Sequence, residues 1–440
     1  MRILLFFFII IYLNGCSFDN KSGIWENENI GKKKTSYLKD FKILNSTSTK
    51  FNKIISIDDS FTFKLPKQII NSGWEDIFYN KTNNFINFKY DNQNKLLLKS
   101  KKMTRHKINI NTLIENNNLI VNDKKGNITI YYLNNKKIVK KFNFYKKKFK
   151  DLEKKLNLIV ENNIIFVSDN LGYLYAFDYE KNDILWAKDY KIPFRSNLKI
   201  YKNKLIAANQ NNDVYFFNKV NGDLIKMLPT EETLLKNQFV NNLSLSDNNL
   251  LFLNTAGSLY SLNCDNMQMR WFINLNETLD LNSGNLFNSN QIITDKKKLV
   301  VSSNDHLYVV DIETGIILSK YNFVSIVKPL ILNDYLFLIS KNNLLISLDL
   351  SKNQIIYSYD IRKKISDFYN KEKKKVIFRN ILAANNQLLV FLKNSHVLKF
   401  GVDGNLNDVI KLPTNIYSNP MIANNLLYYL DNKNKLSIIN

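Results

Sequence analysis

The chain has 440 residues, of which 45% are hydrophobic and 23% charged, a composition that excludes a wholly disordered polypeptide. Lys and Arg number 62 against 39 Asp and Glu, for a formal net charge of +23. Arg occurs only at Arg2, Arg105, Arg195, Arg270, Arg362 and Arg379, so the excess is Lys. The Arg-rich surface that reads bases and phosphates is missing, and no nucleic-acid partner is expected. Two Cys cannot build a disulfide framework.

Arg2 precedes an apolar run over residues 3–13. The run is too short for a transmembrane helix, which needs about 20 residues, and has the form of a secretory signal. Leu13-Asn14-Gly15-Cys16 resembles a lipobox, in which the Cys is lipidated and becomes the mature N-terminus. Residues 1–15 are then a lipoprotein signal peptide, and Cys16 carries the acyl groups, palmitate among them. The competing reading is an ordinary signal peptide with an incidental Cys. Acyl chains contribute about 0.8 kcal/mol per buried CH₂, so several of them anchor a protein durably. Residues 16–60 are rich in Lys, Asn, Ser and Thr with no sustained period, and read as a flexible tether with a reach on the order of 35 Å.

Residues 61–440 repeat. Leu174-Tyr175-Ala176-Phe177-Asp178 recurs as Val214-Tyr215-Phe216-Phe217-Asn218, Leu259-Tyr260-Ser261-Leu262-Asn263, Leu307-Tyr308-Val309-Val310-Asp311 and Leu345-Ile346-Ser347-Leu348-Asp349. Weaker copies begin at Ile128, Val397 and Leu436. The mean spacing of about 44 residues is that of a propeller blade, one four-stranded sheet per repeat. Within one repeat, strands are expected over 198–200, 205–208, 214–217 and 223–227, joined by Asn-rich turns that tolerate positive φ. The fold class is therefore all-β, an eight-bladed β-propeller. Its last copy ends at Asn440 without a fourth strand. The run Leu96-Leu97-Leu98-Lys99-Ser100, ahead of the first repeat, is expected to supply that strand and close the ring.

Ala176-x-Asp178 with Trp186, and Ser261-x-Asn263 with Trp271, resemble the repeat of quinoprotein (PQQ-like) propellers. Ser319, Lys140, Lys226, Tyr357 and Val409 stand at the Trp position elsewhere. With the lipobox, the whole chain resembles the BamB lipoproteins of the outer-membrane β-barrel assembly machine. Three segments carry this likeness: Leu65-Pro66 with Asn71-Ser72-Gly73-Trp74, the loop Glu231-Glu232-Thr233-Leu234-Leu235, and Leu412-Pro413 with Ser418-Asn419-Pro420.

The rival within the fold is a quinoprotein dehydrogenase, which holds its quinone with an adjacent Cys-Cys disulfide, a metal ion and a base carboxylate. Here Cys264 stands alone once Cys16 is lipidated, and reads as a small buried residue. His306 and His396 each precede a third strand, and read as surface polar residues rather than metal ligands. No phosphate loop, His-x-x-x-His or Cys-x-x-Cys spacing occurs. No catalytic residues, cofactor or metal site are expected, and the protein is expected not to be an enzyme. Runs such as Lys146-Lys147-Lys148 and Lys373-Lys374-Lys375 read as solvated hairpin tips, with weak attraction to anionic lipid as the functional alternative.

The resemblance implies a scaffold at the periplasmic face of the outer membrane. It docks on the POTRA domains of the BamA-type assembly factor, alongside the other members of the complex. By position, the partner-binding residues are Glu232, Leu234, Leu235 and Lys236; the competing reading tucks both Leu into the ring. A matching acidic patch in the next loop is missing, since Asn282-Ser283-Gly284-Asn285 stands there. The alternative function is a lipid-anchored propeller binding cell-wall glycan or polysaccharide.

Overall fold

The computed structural model describes residues 16–18, 25–27, 51–145, 149–232, 239–276, 287–370 and 375–440. The chain divides into two units, residues 1–49 and 50–440. In the first, Cys16–Phe18 pairs antiparallel with Trp25–Asn27; the segment expected to be the signal peptide lies outside the described residues.

In the second unit, eight antiparallel sheets follow one another as blades. The first contains Leu113–Glu115, Asn118–Asn122, Asn127–Tyr132 and Lys137–Asn143. Blades two to eight begin with the innermost strands Leu156–Glu161, Lys199–Tyr201, Asn242–Ser246, Ile293–Asp295, Leu330–Leu332, Phe378–Ala384 and Met421–Ala423. In the third blade, Lys204–Ala208, Val214–Asn218 and Leu224–Leu228 complete the sheet, each within a residue of the bounds read from the sequence. Middle strands are buried on both faces, whereas outer strands such as Lys137–Asn143 alternate exposed and half-buried, as expected when each sheet packs between neighbours.

Turn chemistry explains the spacing. Asn116-Asn117, Asn162-Asn163, Asn385-Asn386 and Asn424-Asn425 join first to second strands with both residues at positive φ, the twist-matched two-residue hairpin turn. Asp178, Asn218, Asn263, Asp311 and Asp349 close the recurring motif, and their side chains accept backbone N–H groups of the following turn. In every blade the pairing of the third with the outer strand slips by one residue near the end of the third strand. Such a bulge raises the local twist, and nothing in the sequence pattern announced it.

Trp186 and Trp271 are inter-blade braces. Each indole N–H donates to the next blade, Trp186 to the Lys219 carbonyl (3.1 Å) and Trp271 to that of Ile312 (2.8 Å). Each ring covers a glycine: a Cβ on Gly222 would sit 2.4 Å from Trp186, and one on Gly315 2.6 Å from Trp271. At two of the positions without Trp the contact survives in other chemistry. Tyr357 and Tyr359 cover Gly404 of the seventh blade, and the Lys140 ammonium donates to the Glu180 carbonyl of the second.

The eighth blade is completed by Leu96–Lys99, which pairs antiparallel with Leu436–Ile439, so the ring closes as the sequence implied. One element departs from the all-β reading. Helix α1, Ile361–Tyr369, follows the sixth blade, with the Asp360 carboxylate capping the Arg362 and Lys363 N–H groups and Asn370 ending it in the left-handed conformation. Residues 51–57, assigned above to the tether, run down the outer edge of the sixth blade: Ile55 exchanges two backbone hydrogen bonds with Ser358 (3.1 and 2.9 Å).

The ring has two faces. The blade-to-blade connections and the turns between second and third strands share one, here the connection face. The turns between first and second, and third and fourth, strands share the other.

Candidate functional site

The chain ahead of the first blade fills the central channel. Trp74 exchanges backbone hydrogen bonds with Ile114 of the first blade (2.7 and 3.0 Å), and the Glu75 carbonyl accepts from Val160 of the second. The Lys81 and Thr82 carbonyls accept from Leu245 and Thr294, in the fourth and fifth. The Asn84 amide exchanges two bonds with the Ile331 backbone of the sixth. Asn87–Phe88 pairs parallel with Ala383 and Ala384 of the seventh, and the Asn71 amide donates to the Ile422 carbonyl of the eighth (2.8 Å). Amide side chains suit this role because one Asn can satisfy both backbone groups of an inward-facing strand.

The third blade joins through charge. The Lys199 ammonium is buried, 2.6 Å from the Asp76 carboxylate, and also donates to the Asn83 amide oxygen (2.6 Å) and the Asn80 carbonyl (2.9 Å). Burial lowers its pKa, and Asp76 opposes that shift. Lys328 of the sixth blade is buried without a carboxylate against it: its ammonium donates to the carbonyls of Phe78 and Asn83 and lies 3.4 Å from the centroid of Phe85. Burial depresses it well below the usual lysine range. A cation held this way is stabilised by carbonyl dipoles and a ring face rather than by an ion pair.

On the connection side of this plug a cavity of about 230 Å³ remains, floored by Trp74, Phe78 and Phe85 and walled partly by Lys328, Arg379 and Asn290. No carboxylate, His or Cys lines it. Among the described residues no group of three or more His, Cys, Asp or Glu could hold a metal. Cys264 is a buried free thiol in the fourth blade, pushed up to about 12 by burial. These residues do not fit the disulfide, metal and base carboxylate that a quinone cofactor takes. His306 and His396 open the third strands of separate blades, the fifth and the seventh.

The expected docking loop leaves the third blade on the connection face. Glu231 anchors its start: the carboxylate accepts from Ser258 Oγ (2.6 Å) and the carbonyl from the Asn212 amide (2.7 Å). Glu232 is exposed. Leu234, Leu235 and Lys236 lie outside the described residues, as do residues 282–285. The chain is fixed again at Phe239, buried against the Phe287 ring (5.5 Å between centroids). Cys16 lies in a described strand, and its side chain lies outside the description. Sequence reading missed the plug, although Asn71-Ser72-Gly73-Trp74 marked its start. Its residues obey no strand or helix period, because each satisfies a different blade.

Residues 144–359 match the family model described as outer membrane protein assembly factor BamB. No curated protein matches the chain. Among solved structures it is similar to BamB from Moraxella catarrhalis, at 13% identity and a TM-score of 0.61, covering 79% of this chain and 99% of that one. It is similar too to a europium-containing methanol dehydrogenase, at 11% identity and 0.60, over 83% and 89% of the two chains. A quinohemoprotein alcohol dehydrogenase from Comamonas testosteroni matches at 9% identity and 0.60, over 84% and 80%. At these identities the structural likenesses speak for the fold alone, and they include both enzymes and an assembly factor. The chain has a PQQ-like β-propeller fold, and its residues 144–359 match the BamB family model.

Proposed function

We propose that this chain is a non-catalytic, lipid-anchored scaffold of the outer-membrane β-barrel assembly complex. It docks on the periplasmic POTRA domains of a BamA-type factor and assists the folding and insertion of outer-membrane proteins. The observation that carries the reading is the BamB family match, whose residues 144–359 contain the loop bearing Glu232, Leu234, Leu235 and Lys236. Exposed Glu232, next to the anchored Glu231, supports it, since connections between blades run over the surface. The misfit of the connection-side cavity to a quinone cofactor weighs against the dehydrogenases of the same fold. Cys16 is the lipidation site, with the propeller held at the periplasmic side of the outer membrane.

The test is a titration of Leu234→Ala/Leu235→Ala against isolated POTRA domains, paired with a thermal melt. Exposed Leu anchors predict an affinity loss of roughly tenfold, about 1.4 kcal/mol, with an unchanged melt. Unchanged affinity with a normal melt moves the contact to another loop; lost affinity with a collapsed melt makes both Leu core residues. Mass spectrometry of the native protein checks Cys16, where an unmodified thiol ends the anchoring part of the reading.

A further inference from the structure

The segment 101–107 crosses the connection face from the closing strand to the first blade. It is pinned from beneath: Met103 is fully buried, and the Asn434 amide donates to the carbonyls of Thr104 (3.0 Å) and His106 (2.8 Å). That leaves Lys101, Lys102, Arg105 and Lys107 exposed. Lys125 and Lys433, on the neighbouring turns of the first and eighth blades, extend the positive surface. The acids of this sector are fewer: Asp123, Asp431, Asp151 and Glu153. Asp123 and Asp431 are buried, and their carboxylates accept backbone N–H groups within their own turns. Glu153 is exposed and pairs with Lys124 (2.7 Å); beside it Leu152 is 49% exposed.

On the opposite face several lysines pair with acids, as in Lys181–Asp178, Lys202–Asp265 and Lys219–Glu161, while Lys136 and Lys137 share a turn that holds no acid. On the connection face itself, the corresponding turns of the third and fifth blades carry Asp213 and Asp305 and no lysine, and those of the sixth and seventh carry one lysine each, Lys341 (paired with Asp305) and Lys393. Among the described residues of this face, the basic side chains group most densely on the eighth and first blades. Phe51, where the described propeller begins, sits on this same face, its N–H bonded to Asn322 and its carbonyl accepting from Asn342. The chain leading back to Cys16 joins the ring there.

We propose that the eighth and first blades present this basic sector to a membrane surface of anionic phospholipid. Exposed lysines on convex turns suit head groups, which need point charges and no bidentate geometry, and an acidic protein motif would favour Arg. An exposed Leu among cations suits the lipid interface. Docking through the eighth and first blades leaves the third and fourth, with the loop after Glu232, free for a protein partner. The direction of approach rests on the lipid-anchor reading; the lipid affinity itself does not.

The test uses the full mature chain carrying Cys16→Ser, so that no acyl group contributes, in flotation with vesicles of phosphatidylethanolamine with and without phosphatidylglycerol. Binding is expected only with phosphatidylglycerol, and should weaken as salt is raised. Lys101→Glu/Lys102→Glu/Arg105→Glu should lower it by roughly a hundredfold, at about a kcal/mol per basic residue near the surface. The matched variant Lys137→Glu/Lys181→Glu/Lys352→Glu, on the opposite face, should bind nearly as the parent does; thermal melts establish that both variants fold. Equal loss in both variants, or no binding to phosphatidylglycerol, overturns the proposal. Unchanged vesicle binding with lost affinity for an acidic protein makes the sector a protein surface instead. The POTRA titration reads separately, so either reading can fail without the other.

Discussion

Two stretches of chain precede the first blade, and they serve the ring in opposite ways. Residues 71–88 run through the channel and bond the innermost strands of all eight blades, with an ion pair buried at their centre. Residues 51–57 lie along the outer edge of one blade, where Ile55 bridges Ser358 and Ile54 is 57% exposed. The same kind of local sequence, mixed polar and apolar without a period, becomes a keystone in one place and a strap in the other. Position decides, because a bond buried in the channel is harder for water to replace than one made at a rim.

The sharpest way to break this contrast is Asp76→Ala. It leaves the Lys199 ammonium buried without its countercharge, and should cost about 3–5 kcal/mol, read from the urea midpoint. A cost no greater than that of a surface substitution would mean that water reaches the channel centre.

Lys328→Met comes next and tests the second buried cation. Because burial depresses Lys328, the unfolded chain binds more protons in the interval below the ordinary lysine pKa of about 10.4. Stability therefore rises with pH across that interval. Lys199, also depressed, contributes with the same sign and remains in the variant. The parent's melting temperature should thus climb between neutral and mildly alkaline pH, and that of Lys328→Met should climb less. Equal slopes would mean that Lys328 keeps an ordinary proton affinity in the fold.

The smallest effect is expected at the strap. Ile55→Pro removes the N–H donor to Ser358, and should cost no more than about 0.5–1.5 kcal/mol, measured by the same melt. A loss rivalling Asp76→Ala would make the strap part of the core and erase the distinction.

Blade number and closure were legible in the sequence because they rest on local rules repeated many times. The five-residue motif, its terminal Asx and the Asn-Asn turns each act within a few residues, and the missing last strand follows from counting. The proposed docking loop rests on likeness to a family alone. Helix α1 was hidden because its cap, Asp360, is also the last residue of a strand.

Sequence by itself determined an eight-fold β repeat, closed from both ends. Tertiary structure alone decided what fills the centre and where the charge falls. A repeat dictates what every blade shares, whereas the channel and the faces depend on what differs between blades that are distant in the chain. Asp76 meets Lys199 across 123 residues, and Asn434 holds the segment at Thr104 across 330. No local pattern encodes such pairs, because the energy that selects them arises only when the ring has closed and water has left.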